Sequence, residues 1–197
     1  MLTLLTMSRV KARIATVARR LFTESGADGI SMRKIASRVG VSATAIYRHY
    51  RDKDELLDGI TEEGFAVFED YLRPGTRIAD PVAAIRGIAR GLLEFALAEP
   101  ELYEFLFILP RRNVRRFPDD FAQHRSRSFG MVEEKVAQGI ASGALAKDNP
   151  METTLTIWAH VHGLVSLHRA GRFGGDDRRF RRIYRKSFER LLNGVAT

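Results

Sequence analysis

The sequence predicts an all-α fold, and three observations carry that prediction. Apolar residues recur at intervals of three and four in one segment after another, as the buried face of an amphipathic helix requires. Helix starters (Ser8, Ser31, Ser42, Asp52, Asp80-Pro81) and breakers (Gly26, Gly40, Pro74-Gly75, Gly143, Gly171) bracket those segments. At 197 residues and 45% hydrophobic content, the chain suits one small helical domain, residues 8–53, and a larger one, residues 54–197.

From Ser8 to Ser25, Ile14, Val17, Ala18, Leu21 and Phe22 keep the helical interval, and Arg9, Lys11, Arg13, Arg19 and Arg20 fill the other faces. Ser8 caps this helix and Gly26 stops it. The preceding MLTLLTM lacks the basic leader and the length of a signal peptide, and reads as a frayed extension with Met7 as an alternative start.

Residues 31–53, SMRKIASRVGVSATAIYRHYRDK, read as two short helices joined by a glycine turn. Ser31 caps the first, whose Ile35, Ala36 and Val39 face inward while Arg33, Lys34, Ser37 and Arg38 face out. Gly40 suits a left-handed C-cap, and the small Ala36 lets a second helix cross closely. Ser42 caps that second helix. Its small first turn, Ala43, Thr44 and Ala45, lets the backbone and the Thr44 hydroxyl approach base edges or phosphates in a major groove, with Ile46 as the inward anchor. Tyr47, Arg48 and His49 can donate to phosphate oxygens, which sets register without reading sequence.

Asp52 and Glu55 have capping-box spacing, which places Lys53 in a first helical turn where its ammonium and the free amides form an anion site. This helix is expected to reach Leu72, burying Leu57, Ile60, Phe65, Phe68 and Tyr71 or Leu72, until Pro74-Gly75 breaks it. Gly64 in its middle costs about 1 kcal/mol against alanine and permits a bend or a close helix crossing.

Asp80-Pro81 is a cap with proline at the first helical position, opening a helix through Ile85, Ile88, Leu92, Phe95 and Ala96. Glu99-Pro100 separates it from the apolar ELYEFLFIL, which carries Tyr103, Phe105 and Phe107. Residues 110–118 form a loop whose Arg111, Arg112, Arg115 and Arg116 are either an anion-binding cluster or a solvated face, the latter being the default. One helix then runs from Asp119 or Asp120 to about Ser142, with Phe121, Phe129, Val132, Val136 and Ile140 available for burial. From Pro150 to Ala170 a spine of Leu155, Trp158, Val161, His162, Val165 and Leu167 is apolar, and a last helix from Asp176 to Asn193 offers Phe180, Ile183, Tyr184, Ser187, Phe188, Leu191 and Leu192.

Residues 9–57, with the run Tyr47-Arg48-His49-Tyr50 followed by Lys53 and Leu56-Leu57, resemble the DNA-binding unit of the tetracycline-repressor (TetR) family of bacterial transcriptional regulators. The resemblance implies that Arg33, Ala43, Thr44, Tyr47, His49 and Lys53 contact operator DNA; Ser31, Ser42 and Arg48 complete the candidate set. Two positions depart from the family pattern. Residue 45 is alanine where a phosphate-contacting threonine is common, and Ala43 cannot hydrogen-bond a base through its side chain, so direct base reading falls to Arg33, Thr44 and Arg48. Further along, Trp158 with His162-Gly163, and ALAEPELYEFLF before it, resemble a subgroup of TetR C-terminal domains. In that family, movement of the helix after the reader carries ligand binding to the recognition helices.

Charge supports the same assignment. Residues 1–50 hold nine Lys and Arg against two Asp and Glu, a balance of +7, out of a net +8 for the whole chain. Counterion release from a duplex favours such a concentration of positive charge. The chain has no cysteine, so no disulfide, cysteine zinc site or thiol nucleophile is available. No run of about 18 apolar residues suggests a membrane span, and the expected site of action is the cytoplasm.

His160, His162 and His168 invite a metal reading, which helix geometry opposes. His160 and His162 point about 200° apart, and His160 and His168 are separated by about 12 Å along the axis, so no pair holds one ion. His162 and Trp158 are each either core residues or pocket walls, with core as the default. No phosphate-cradling glycine loop, nucleophile elbow or metal motif is present. The adjacent pairs Glu133-Glu134 and Asp119-Asp120 point to different azimuths and suit solvation or capping.

Aromatic density selects Phe68, Phe95, Tyr103, Phe107, Phe129 and Trp158, with His162, as a candidate cavity for a small apolar or aromatic effector. The last two helices cannot fully cover one another's apolar faces, and a second copy can, in a four-helix contact of the kind this family uses. Leu164, Leu167, Phe180, Ile183, Tyr184 and Leu191 are the candidates for that contact. The expectation is a homodimeric, ligand-responsive regulator without cofactor, a repressor released from a palindromic double-stranded operator. The alternatives are a constitutive DNA-binding activator or architectural protein without a ligand, and a helical-bundle enzyme.

Overall fold

The computed structural model describes the backbone of residues 2–26, 29–110 and 114–195, and the side chains of residues 10–26, 29–110 and 114–194. Among these residues the chain forms ten helices and no β-strand. Its contacts divide it into two compact units, one of Met1–Ala66 with Glu99–Val114 and one of Val67–Ala98 with Arg115–Thr197. Segments 54–66 and 99–114 group with the first of these units.

The first unit holds α1 (Leu2–Ser25), α2 (Met32–Val39), α3 (Ala43–Tyr47), the opening turns of α4 (Lys53–Thr76) and α6 (Pro100–Phe107). Ile14, Ala18, Leu21 and Phe22 of α1 are buried together with Ile35, Val39 and Ile46, the core that their spacing predicts. Phe105 of α6 meets Phe22 edge-on at 5.1 Å. Gly64 makes room for α6, since a Cβ there would stand 2.9 Å from Leu102 Cδ1 and 3.1 Å from Leu106 Cδ2. It serves a close crossing. The helix start at Ser8 is corrected: α1 begins at Leu2. Ser8 lies within the helix because leucine and methionine are good helix formers and no glycine or proline precedes it to stop the turn.

The second unit holds the end of α4, α5 (Pro81–Ala98), α7 (Asp119–Ala122), α8 (Arg127–Ala141), α9 (Pro150–Arg169) and α10 (Asp177–Val195). Asp80 Oδ1 accepts from the Ala83 amide at 2.6 Å, and Asn149 Oδ1 accepts from the amides of Met151 and Glu152, so α5 and α9 are capped by side chains ahead of their prolines.

Three expectations are overturned here. Pro74-Gly75 does not break α4, which continues to Thr76. Gly75 is buried against α5, where a Cβ would fall 2.4 Å from the Ile88 amide nitrogen. The single helix expected over 119–142 is two, because His124 adopts a left-handed φ of 54° between α7 and α8. Asp120 ties that turn together, accepting from the Arg116 amide at 2.7 Å and the Arg125 guanidinium at 3.0 Å. Those bonds, the amide's above all, hold its carboxyl below the usual carboxylate range. Finally, Leu155 and Leu167 do not join the buried spine of α9: they are 36% and 47% exposed, and Thr153, Thr154 and Ile157 are buried with Val161 and Val165 instead.

Candidate nucleic-acid interface

The glycine turn forms as its residues require. Gly40 sits at φ 77° and ψ 36°, a left-handed conformation that costs a side chain dearly, and its amide donates to Ala36 O at 2.9 Å. Ser31 Oγ accepts from the Lys34 amide and Ser42 Oγ from the Ala45 amide, each at 3.2 Å. Arg13 of α1 donates to the Val39 carbonyl at 2.9 Å, placing a cation at the negative end of α2. That bond fixes α2 against α1 and was not evident from spacing alone.

Helix α3 has five residues and one buried side chain, Ile46. At about 100° per residue, Thr44, Tyr47 and Arg48 fall within an arc of about 100° whose centre lies about 150° around the axis from Ile46. All three are exposed, Tyr47 at 53%. Arg33 on α2 is exposed, as are the capping residues Ser31 and Ser42; Ala43, Ala45 and His49 are half-buried. The last tyrosine of the YRHY run behaves differently. Tyr50 is buried, with the Lys11 ammonium 5.9 Å from its ring centroid, and burial pushes its hydroxyl pKa up.

Lys53 is the first residue of α4, in a turn capped by Asp52, whose Oδ1 accepts from the Glu55 amide at 2.8 Å. That amide and the Arg51 guanidinium hold Asp52 below the usual carboxylate range. The Glu55 carboxylate accepts from the Arg51 amide, one residue earlier than capping-box spacing implies. Arg51 itself and Lys34 are exposed cations of the same stretch that the motif did not single out. Lys11 of α1 pairs with Glu63 of α4 at 2.7 Å, which raises its pKa and ties the opening of α4 to α1.

The remaining predicted site residues lie in both units. Phe68, Phe95, Phe129, Trp158 and His162 form one cluster in the second unit: Phe68 lies 4.9 Å from Phe95 and 6.1 Å from Trp158, and Trp158 lies 5.9 Å from Phe129 and 4.8 Å from His162, between ring centroids. The void beside Trp158, lined by Ile85, Leu92, Val132, Ile157 and Val161, measures about 10 Å³. Burial pushes the His162 imidazole down to about 3. Tyr103 and Phe107 pack with Phe65 within the first unit. Of the dimer candidates, Phe180 and Tyr184 are buried in their own unit, which removes them from any surface a partner can touch. Leu164, Ile183 and Leu191 are half-buried and Leu167 is exposed. Among the described residues no group of three or more His, Cys, Asp or Glu is placed to hold a metal ion, and no helix is long and apolar enough to cross a membrane. Arg111 and Arg112 lie outside the described residues; Arg115 and Arg116 are exposed.

Comparison with known proteins agrees with this geometry. Residues 14–60 match the family described as bacterial regulatory proteins, tetR family, and residues 85–195 match a tetracyclin repressor-like C-terminal domain. The HTH-type transcriptional regulator Rv1816 of Mycobacterium tuberculosis is 25% identical over 199 residues, spanning 85% of this chain and 84% of that protein. The HTH-type transcriptional repressor AcnR of Corynebacterium efficiens is 28% identical over 142 residues, 68% of each chain. Among solved structures, a TetR family transcription regulator from Marinobacter aquaeolei is similar with a TM-score of 0.77 at 22% identity, over 100% of this chain and 99% of that one. PfmR from Thermus thermophilus gives 0.73 at 18% identity, over 94% and 96%. With a helix-turn-helix built as described and matches spanning both units, the chain belongs to the TetR family of bacterial transcriptional regulators and carries its DNA-binding domain at the N-terminus.

Proposed function

We propose that the protein is a homodimeric repressor that releases a palindromic operator in the cytoplasm when a small apolar or aromatic molecule binds the second unit. The observation that carries DNA recognition is the outward arc of Thr44, Tyr47 and Arg48 on a helix anchored only by Ile46. Arg33, Thr44 and Arg48 read base edges, while Tyr47, His49 and Lys53 hold phosphates. A relative named as a transcriptional repressor favours repression over activation.

The dimer face is a stripe on α9 spaced by four: Leu155, Ala159, Gly163 and Leu167 are all exposed, and a Cβ on Gly163 would meet nothing within 4 Å. Ile183 and Leu191 of α10 complete it. Two such chains present recognition helices one turn of DNA, about 34 Å, or a multiple of it apart. A monomer by light scattering at micromolar concentration would refute this face.

The effector cavity is the cluster of Phe68, Phe95, Phe129, Trp158 and His162, with Trp158, His162 and Gly163 marking a subgroup of family C-terminal domains. The void beside Trp158, about 10 Å³, holds roughly one water, so a ligand that binds there must move Trp158 and its apolar neighbours. That requirement supplies the difference in affinity between states on which any release depends, and a hundredfold release needs about 2.7 kcal/mol. The same closure favours a second reading, a constitutive DNA binder with no ligand.

One experiment separates them. Duplexes selected from random DNA define the half-site and its spacing, and apolar compounds are then screened for thermal stabilisation and for operator release. Stabilisers that also release the operator support the repressor. Tight operator binding that no stabilising compound alters supports the constitutive binder, and indifference to every duplex at low salt sinks both.

A further inference from the structure

Helices α5 and α10 each carry the same pattern, Arg86, Arg90 and Glu94 on one and Arg181, Arg185 and Glu189 on the other, at intervals of four residues or about 6 Å along the axis. Arg86 pairs with Glu189 at 3.1 Å, and Arg181 pairs with Glu94. The two rows therefore run antiparallel, and their outer rungs are ion pairs. Antiparallel register leaves Arg90 across from Arg185 in the middle rung. Neither makes an ion pair among the described residues, and both line one hollow of about 320 Å³. Its floor is apolar, formed by Ala89, Leu93 and Phe188, all buried, with Tyr184 donating to Ala89 O at 2.7 Å.

Two guanidiniums facing each other across a groove repel unless an anion lies between them, because neither can be neutralised by losing its proton. A guanidinium presents a planar fork of donors that matches a carboxylate or phosphate. We propose that this groove binds a small organic anion, its carboxylate or phosphate bridging Arg90 and Arg185 and its apolar body lying over Leu93, Phe188 and Ala89. The flanking ion pairs hold the two rows in register and keep the outer arginines occupied, so the charge available to a ligand is concentrated at the middle rung. A volume of about 320 Å³ falls at the lower end of the range of small-molecule sites. The groove shares only Ala89 with the void beside Trp158, and the site does not depend on DNA binding.

Calorimetric titration of the full chain with phenyl phosphate and with benzoate tests the proposal and distinguishes the two head groups, with benzyl alcohol as the uncharged control. At least one of the two anions is expected to saturate a single site per chain with Kd below about 1 mM, and benzyl alcohol to give no saturable heat. Arg90→Gln and Arg185→Gln each raise Kd by roughly tenfold or more, the worth of a charge-assisted hydrogen bond. Lys186→Gln, an exposed α10 cation outside the groove, leaves Kd unchanged. Without ligand, Arg90→Gln leaves Tm unchanged or higher, since a repulsion is removed, and only the anion-induced rise in Tm disappears. Absence of saturable binding by both anions, equal weakening by Lys186→Gln, undiminished binding in both arginine variants, or a lower Tm in Arg90→Gln each overturns the site.

Discussion

Gly91 of α5 and Tyr71 of α4 meet backbone to backbone: a Cβ added at Gly91 would stand 2.2 Å from the Tyr71 carbonyl oxygen. With Gly75 and Gly87 in the same crossing, the two helices approach closer than any side chain permits. Gly91→Ala is therefore expected to destabilise the protein by about 1–3 kcal/mol through forced displacement of backbone. Gly130→Ala, also in a helix but with nothing within 4 Å of the added carbon, is expected to gain up to about 1 kcal/mol. Urea unfolding of the two variants beside the parent measures the contrast, and equal effects would contradict the crossing.

Phosphate contacts and base contacts leave different signatures in binding. Tyr47→Phe and Lys53→Ala weaken association with every duplex, and Lys53→Ala lowers the slope of log K against log salt by about one per half-site. Fluorescence anisotropy across a salt series reads both. A changed sequence preference with an intact slope would remove Lys53 from the phosphate set.

Arg33→Gln and Thr44→Ala act on choice of sequence instead. Each is expected to erode discrimination at one operator position by about 1–3 kcal/mol while leaving non-specific affinity close to the parent's. Competition between the selected operator and single-position variants of it provides the measurement. A uniform loss across all duplexes would assign these residues to the backbone.

Desolvation of the His162 imidazole makes stability depend on acidity. Its pKa is about 3 in the folded chain against an ordinary value of 6.5, so between those values the unfolded chain binds the extra proton. Stability is then intact above pH 6.5 and falls as the pH drops toward 3, by up to about 1.4 kcal/mol per pH unit. His162→Phe, which cannot take up a proton, flattens that part of the profile. Chemical denaturation at a series of pH values for both chains tests it, and parallel profiles would refute it.

The reader was legible because its cues are local. Ser31, Gly40, Ser42 and Ile46 each act within one turn of their own position, and the same holds for the cap Asp80. Pro74-Gly75 misled because its meaning is set by what lies opposite: against Gly87 and Ile88 a glycine is a contact surface rather than a stop. The apolar content of α9 was visible, yet which side of it faces outward depends on α5 and α8, whose Ile85, Leu92 and Val132 share a void with Ile157 and Val161, while Leu155 and Leu167 are left bare. Likewise the repeated spacing of Arg86-Arg90-Glu94 and Arg181-Arg185-Glu189 can be read from the chain, but only antiparallel packing turns it into two closed rungs and one open one. Phe180 and Tyr184 are apolar residues of α10, but both are buried within their own unit.

Because Ile46 is the one fully buried residue of α3 and its neighbours Thr44 and Tyr47 are exposed, those two neighbours carry little of the fold. Duplicated copies of such a gene can exchange those neighbours one at a time and acquire new target sites while remaining folded, so divergence of regulatory circuits need not pass through unfolded ancestors.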